Sequence, residues 1–128
     1  MIIGIPKEIM HAERRVAGTP ETVASLVKMG FRVLVETRAG EGIFRDDADY
    51  ASAGAEIVTD VEKLFEQADL ILKVKQPGYN ETVGKHEIQM MRRGSTLVTF
   101  IHPAAPGSHE NVKMLRDGGI TAFTMDSI

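Results

Sequence analysis

The sequence contains no cysteine. That absence excludes a disulfide-framed secreted scaffold, a Cys-based zinc or iron–sulfur site and a cysteine nucleophile. No apolar run approaches the ~20 residues of a membrane span, and the opening residues Met1 to Glu8 (MIIGIPKE) are too short an apolar stretch for a signal segment. A cytoplasmic protein is therefore expected. Charge of one sign is also missing: 15 Lys plus Arg stand against 18 Asp plus Glu, for a formal net charge of -3. Without a block of like charges, no nucleic-acid partner is expected. The dinucleotide pattern G-x-G-x-x-G is incomplete, since Gly40 and Gly42 are followed by Arg45 at the third position, and no phosphate loop occurs. The stretch Gly40-Glu41-Gly42 reads instead as a turn whose glycines supply positive φ. Surface positions are expected for His11, His86 and His109, and no pair of histidines has the spacing of a metal site.

What is present is an alternation. The 128 residues, 43% hydrophobic and 26% charged, suit one soluble globular domain with a single core. Apolar runs at Met1–Ile5, Phe31–Glu36, Leu70–Val74, Thr96–Ile101 and Ile120–Met125 suit strands buried on both faces, as in a parallel sheet. Helix punctuation lies between them. Thr19-Pro20-Glu21 is a cap, a first-turn proline and a first-turn acid ahead of Val23, Leu26 and Val27, and Gly30 stands at the stop position. Thr59 or Asp60 caps a helix carrying Val61, Leu64 and Phe65. Gly94 ends one through Ile88 and Met91, and Ser108 starts one that stops at Gly118-Gly119. Strand and helix in turn predict an α/β fold: an open, doubly wound, mainly parallel sheet, Rossmann-like without the dinucleotide fingerprint. The last strand has no terminal helix to cover it, so a further segment or a docking partner is expected there.

Ligands of doubly wound sheets bind beyond the carboxyl ends of the strands. Three such ends carry Arg15, Lys75 and His102, which the predicted topology sets on one rim. An Arg fork binds a carboxylate, a Lys polarises a carbonyl oxygen and a His titrates near neutrality. The set suits an α-keto acid or a polar cofactor edge. Plainer readings stand beside it: Arg14 and Arg15 as surface charges next to Glu13, Lys73 or Lys75 as a stem lying along a strand end, and His102 as a partner of a loop carbonyl.

The loops then match a known pattern. Ile3-Gly4-Ile5-Pro6-Lys7-Glu8, Glu13-Arg14-Arg15-Val16-Ala17 and Thr19-Pro20 resemble the amino terminus of the alanine dehydrogenase and pyridine nucleotide transhydrogenase family. Gly40-Glu41-Gly42 with Ala53-Gly54-Ala55, residues 68–75 (ADLILKVK) and residues 99–104 (TFIHPA) are similar to later blocks, in order and across the whole chain. The resemblance implies that residues 1–128 are an amino-terminal, substrate-side domain. A glycine-fingerprint domain that binds NAD is then expected in a continuation or a partner. By the same resemblance, Arg15 and Lys75 would bind the carboxylate and carbonyl of pyruvate, and His102 would be the acid/base. Within the family, residues 122–128 (AFTMDSI) and the Phe-Ile-X-Pro-Ala form of residues 100–104 favour a transhydrogenase alpha subunit, which moves hydride between NAD(H) and NADP(H) beside a membrane-embedded subunit. The retained His102 departs from that pattern and keeps an alanine dehydrogenase as the alternative. A homo-oligomer is expected in either case. A non-catalytic keto-acid or amino-acid binding module and a purely structural domain are the readings from other classes.

Overall fold

The computed structural model describes residues 1–99 and 108–124. Strand β1 (Ile2–Ile5) leads through a long loop to helix α1 (Pro20–Lys28), and β2 (Arg32–Glu36) leads to a 3-10 turn (Glu41–Ile43), α2 (Asp47–Ser52) and β3 (Glu56–Val58). After α3 (Val61–Gln67) come β4 (Leu70–Leu72), a hairpin of β5 (Tyr79–Asn80) and β6 (Lys85–His86), and α4 (Glu87–Met90). The series continues with β7 (Thr96–Thr99), α5 (Ser108–Asp117) and β8 (Thr121–Thr124). Six strands form one parallel sheet in the order β3-β2-β1-β4-β7-β8. The chain winds outward one way from β1 and the other way from β4. Their seam is the topological switch point, where open α/β sheets hold their ligands.

Alternate strand residues feed two cores, one on each face. Val33 and Val35 join Ile3, Ile5, Val23 and Tyr50 on one side, and Leu34 joins Leu64, Phe65, Ile71 and Leu97 on the other. Burial on both faces is the reason these strands read as unbroken apolar runs. Gly4 brings α3 against β1, since a Cβ there would stand 2.9 Å from both Ala68 Cβ and Leu64 Cδ2. Helix α1 starts as its sequence requires: Thr19 Oγ1 accepts the Thr22 N–H at 3.2 Å, Pro20 occupies the first turn, and Gly30 has a φ of 97° just past the end. Of the two candidate caps for α3, Asp60 is the one used.

Several expectations need correction. The strand expected over Leu70–Val74 ends at Leu72: the Lys73 N–H still reaches β7, but those of Val74 and Lys75 turn to a side chain described below. Helix α4 stops at Met90, where Met91 becomes extended; Gly94, with a φ of 88°, belongs to the separate turn closed by the Ser95 N–H on the Arg92 carbonyl. His86 is half-buried and caps α4, its Nδ1 accepting the Ile88 N–H at 3.2 Å. Burial lowers its pKa. Gly40 and Gly42 do not supply positive φ, which in this segment is taken by Arg38 (68°) and Phe44 (61°). The glycines are there for close approach. A Cβ on Gly40 would sit 2.5 Å from the Tyr50 ring, and one on Gly42 would overlap the Arg14 carbonyl oxygen. Since overpacking costs about 1–3 kcal/mol, Gly42→Ala is expected to lower the free energy of unfolding in urea by that much and to displace the loop next to Arg15. An unchanged midpoint would mean that the loop yields freely.

Candidate functional site

Beyond β1 the chain runs as a loop over residues 6–19, and two of its acids turn inward. Glu8 is 7% exposed; its Oε2 accepts the Val74 N–H at 2.9 Å and its Oε1 the Lys75 N–H at 3.1 Å. Lys73 Nζ donates to the same Oε1 at 3.1 Å and lies 3.4 Å from Glu87 Oε2, with all three side chains at most 2% exposed. Glu87 Oε1 accepts the Gly78 N–H at 3.0 Å. Buried charges persist only when paired and hydrogen-bonded, and here one ammonium serves two carboxylates. Burial pushes the Glu87 carboxyl up, against the pull of Lys73 and the Gly78 N–H.

That shift has a signed consequence. Between the ordinary carboxyl range and the raised value of Glu87, the unfolded chain releases its proton while the folded chain keeps it, so stability falls as pH rises through that window. Glu87→Gln is expected to flatten the fall in urea midpoint as pH rises above the ordinary carboxyl range, leaving the part due to Glu36, which burial also raises. An unaltered slope would mean that Glu87 is ionised in the native state.

The outer part of the site is a second cluster. Arg15 clasps Glu13 through Nε to Oε2 at 3.0 Å and Nη2 to Oε1 at 2.9 Å, and Lys75 Nζ stands 3.9 Å from the same Oε1. The Arg15 guanidinium holds the Glu13 carboxyl down at about 2. Glu13 is 5% exposed at its side chain, whereas Arg15 and Lys75 are 65% and 42% exposed. Two cations around one carboxylate leave a surplus positive charge facing outward. Beside them a cavity of about 440 Å³ opens at the seam, lined by Arg15, Thr19, Leu72, Lys73, Val74 and Val98 among others.

The structure thus brings Arg15 and Lys75 together around Glu13. His102 lies outside the described residues; at the end of β7, Thr99 Oγ1 donates to the Lys75 carbonyl at 2.8 Å. Lys73 is not a stem lying along a strand end but the centre of a buried ionic triad. Sequence reasoning missed that triad. Its one visible signal was a lysine between Leu72 and Val74 in a strand covered on both faces, which demands a counter-charge; nothing marked Glu87 as the second partner.

A nicotinamide dinucleotide needs a glycine-rich turn between the first strand and helix, so that its pyrophosphate can approach the helix N-terminus. Here the loop 6–19 stands in that place with the carboxylates of Glu8 and Glu13, and Glu36 at the end of β2 accepts the Lys7 N–H at 2.8 Å. These residues do not fit such a cofactor. Among the described residues no cluster of His, Asp and Glu could hold a metal ion, and no helix is long and apolar enough to cross a membrane.

The fold and site define a Rossmann-type α/β domain with paired cations around a carboxylate, rather than a dinucleotide cradle, at its switch point. The family model described as alanine dehydrogenase/PNT, N-terminal domain, matches residues 4–128, and the chain belongs to that family. The alanine dehydrogenase of Bacillus subtilis (strain 168) is 42% identical over all of this chain, which covers 32% of that protein. The NAD(P) transhydrogenase subunit alpha of Cereibacter sphaeroides is 37% identical, with 100% of this chain and 23% of that protein covered. A solved L-alanine dehydrogenase superposes with a TM-score of 0.85 at 35% identity, over 97% of this chain and 32% of that one. The chain therefore spans a third or less of these relatives. Alanine dehydrogenase is the more frequent name among them, so the transhydrogenase preference drawn from the sequence is not singled out.

Proposed function

We propose that this chain is the substrate-side domain of an alanine dehydrogenase. The observation that carries the reading is the convergence of Arg15 and Lys75 on one carboxylate with a positive charge in surplus, which matches a monocarboxylate such as pyruvate or alanine. Arg15 grips the substrate carboxylate with its fork, and Lys75 donates to the carbonyl oxygen. His102, assigned from the family resemblance, exchanges the proton. NAD is held by a separate NAD-binding domain and supplies the hydride chemistry; cytoplasmic location and homo-oligomeric assembly belong to the same proposal. The test is alanine-dependent NAD reduction by the full-length protein. Residues 100–104 and 122–128 support the second reading, a transhydrogenase alpha subunit working with a membrane-embedded partner and NADP. Hydride transfer from NADH to an NADP analogue, without a response to alanine, would choose it. The isolated chain should not oxidise NADH, because hydride transfer needs the cofactor held at near-attack distance. Tight pyruvate binding by the isolated chain, with no turnover by the full-length protein, would favour a binding module instead.

A further inference from the structure

A strand in a parallel sheet ordinarily hands its N–H groups to a neighbouring strand. The path beyond β4 departs from this. Lys73 N–H still reaches the Val98 carbonyl of β7 at 3.0 Å, but the next two N–H groups, of Val74 and Lys75, go to the two oxygens of the Glu8 side chain. The rest of the segment is fixed in the same manner. Thr99 donates to the Lys75 carbonyl at 2.8 Å, Asn111 Nδ2 to the Pro77 carbonyl at 3.1 Å, and Glu87 accepts from Gly78. Side chains from four separate parts of the chain therefore hold residues 74–78. Of these, Glu8 alone bonds the N–H of Lys75.

The residue type follows from the task. Two adjacent N–H donors need two acceptor atoms on one side chain, and an ionised carboxylate is the acidic group that offers both without a donor. An amide of the same shape would turn an NH₂ toward one of the N–H groups. The Lys73 ammonium on Glu8 Oε1 compensates the charge that this requirement buries. Lys75 itself makes its side-chain contact to Glu13 across 3.9 Å of partly open space, so its placement depends on where its backbone leaves the sheet.

We propose that Glu8 is a positioning residue: by accepting the N–H groups of Val74 and Lys75, it sets the direction in which Lys75 leaves the sheet and holds its ammonium beside Arg15 and Glu13. This rests on the reading of Lys75 as a substrate ligand. The experiment measures KM and kcat for pyruvate in the full-length protein carrying Glu8→Gln, Lys75→Ala or both. Loss of a hydrogen bond to a charged group corresponds to roughly a tenfold effect or more. Glu8→Gln is accordingly expected to raise the pyruvate KM by roughly tenfold with the cofactor KM unchanged, and to add less than about twofold in the Lys75→Ala background. Equal effects of Glu8→Gln in both backgrounds would overturn the proposal, because Glu8 would then act on the fold and not through Lys75. A pyruvate KM unmoved by Lys75→Ala would overturn the reading of Lys75 itself, a distinct failure that removes the inference with it. If Glu8→Gln does not fold, Glu8→Asp, which keeps the charge facing Lys73 but draws both acceptor oxygens back by one methylene, takes its place in the same comparison.

Discussion

Lys73→Met is expected to cost the 128-residue chain about 3–5 kcal/mol of stability at neutral pH, the range for removing one partner of a buried ion pair. Lys73 is the only cation within salt-bridge distance of Glu8 and of Glu87 among the described residues, and both carboxylates are almost wholly covered. Methionine fills much of the same volume but leaves the Glu8 and Glu87 carboxyls without a counter-charge in a dry interior. Those carboxyls can recover neutrality only by taking up protons. The loss should therefore shrink as pH falls into the carboxyl range, and urea unfolding at pH 7 and pH 5 measures both effects. A loss below about 1 kcal/mol at pH 7, the scale of a surface pair, would show that the triad is solvated.

Arg15→Ala is expected to weaken 2-oxo-acid binding by the full-length protein by roughly 100-fold, as the loss of a two-pronged, charge-assisted contact implies. The substitution acts twice. It removes the fork, and it frees the Glu13 carboxylate, 3.9 Å from Lys75, to claim the remaining cation. The surplus positive charge then vanishes. Arg15→Lys should recover only part of the affinity, because an ammonium restores the charge without the planar fork. The carboxyl of Glu13, held at about 2 by Arg15, should move back toward the ordinary range in Arg15→Ala, so that binding by this variant improves on mild acidification. Titration with pyruvate at pH 7 and pH 5 reads both outcomes. Wild-type affinity in Arg15→Ala would remove Arg15 from the site.

Much of this architecture was legible because of how parallel sheets are buried. β1, β2, β4 and β7 show as apolar runs for that reason. β8 shows as one too, but at the sheet edge it is mostly exposed and not buried on both faces as expected. Thr19-Pro20 and Asp60 mark helix starts by local chemistry that needs no tertiary partner. β3 was not legible. Its three residues, Glu56–Val58, begin with an exposed glutamate at an edge and are too few to establish a period. The β5–β6 hairpin was hidden for the same reason, with two residues on each side. In the site, Arg15 and Lys75 were found because they follow apolar runs, where topology directs ligands. Glu8, Lys73 and Glu87 escaped as a group, since their burial is mutual: each is tolerated inside only because of the others, and no local window contains all three. Glu87 even mimics a solvated acid in the first turn of a helix. The two glycines at positions 40 and 42 were recognised as special for the wrong reason. Their sequence context suggests a φ requirement, whereas the true constraint is the Tyr50 ring and the Arg14 backbone, both brought there by the tertiary fold.

The seam between β1 and β4 also bears on the order of events during synthesis. Strands β1 and β2 and the loop carrying Arg15 are made early, but Glu8 meets Lys73 only at a sequence separation of 65, and Gly78 and Glu87 come later still. Closing so long a loop carries an entropic cost that short-range contacts do not. While the polypeptide emerges from the ribosome, Glu8 therefore remains hydrated, and the two halves of the sheet have no polar lock between them. Completion of that lock and completion of the ligand-binding rim both wait until Glu87 has been translated.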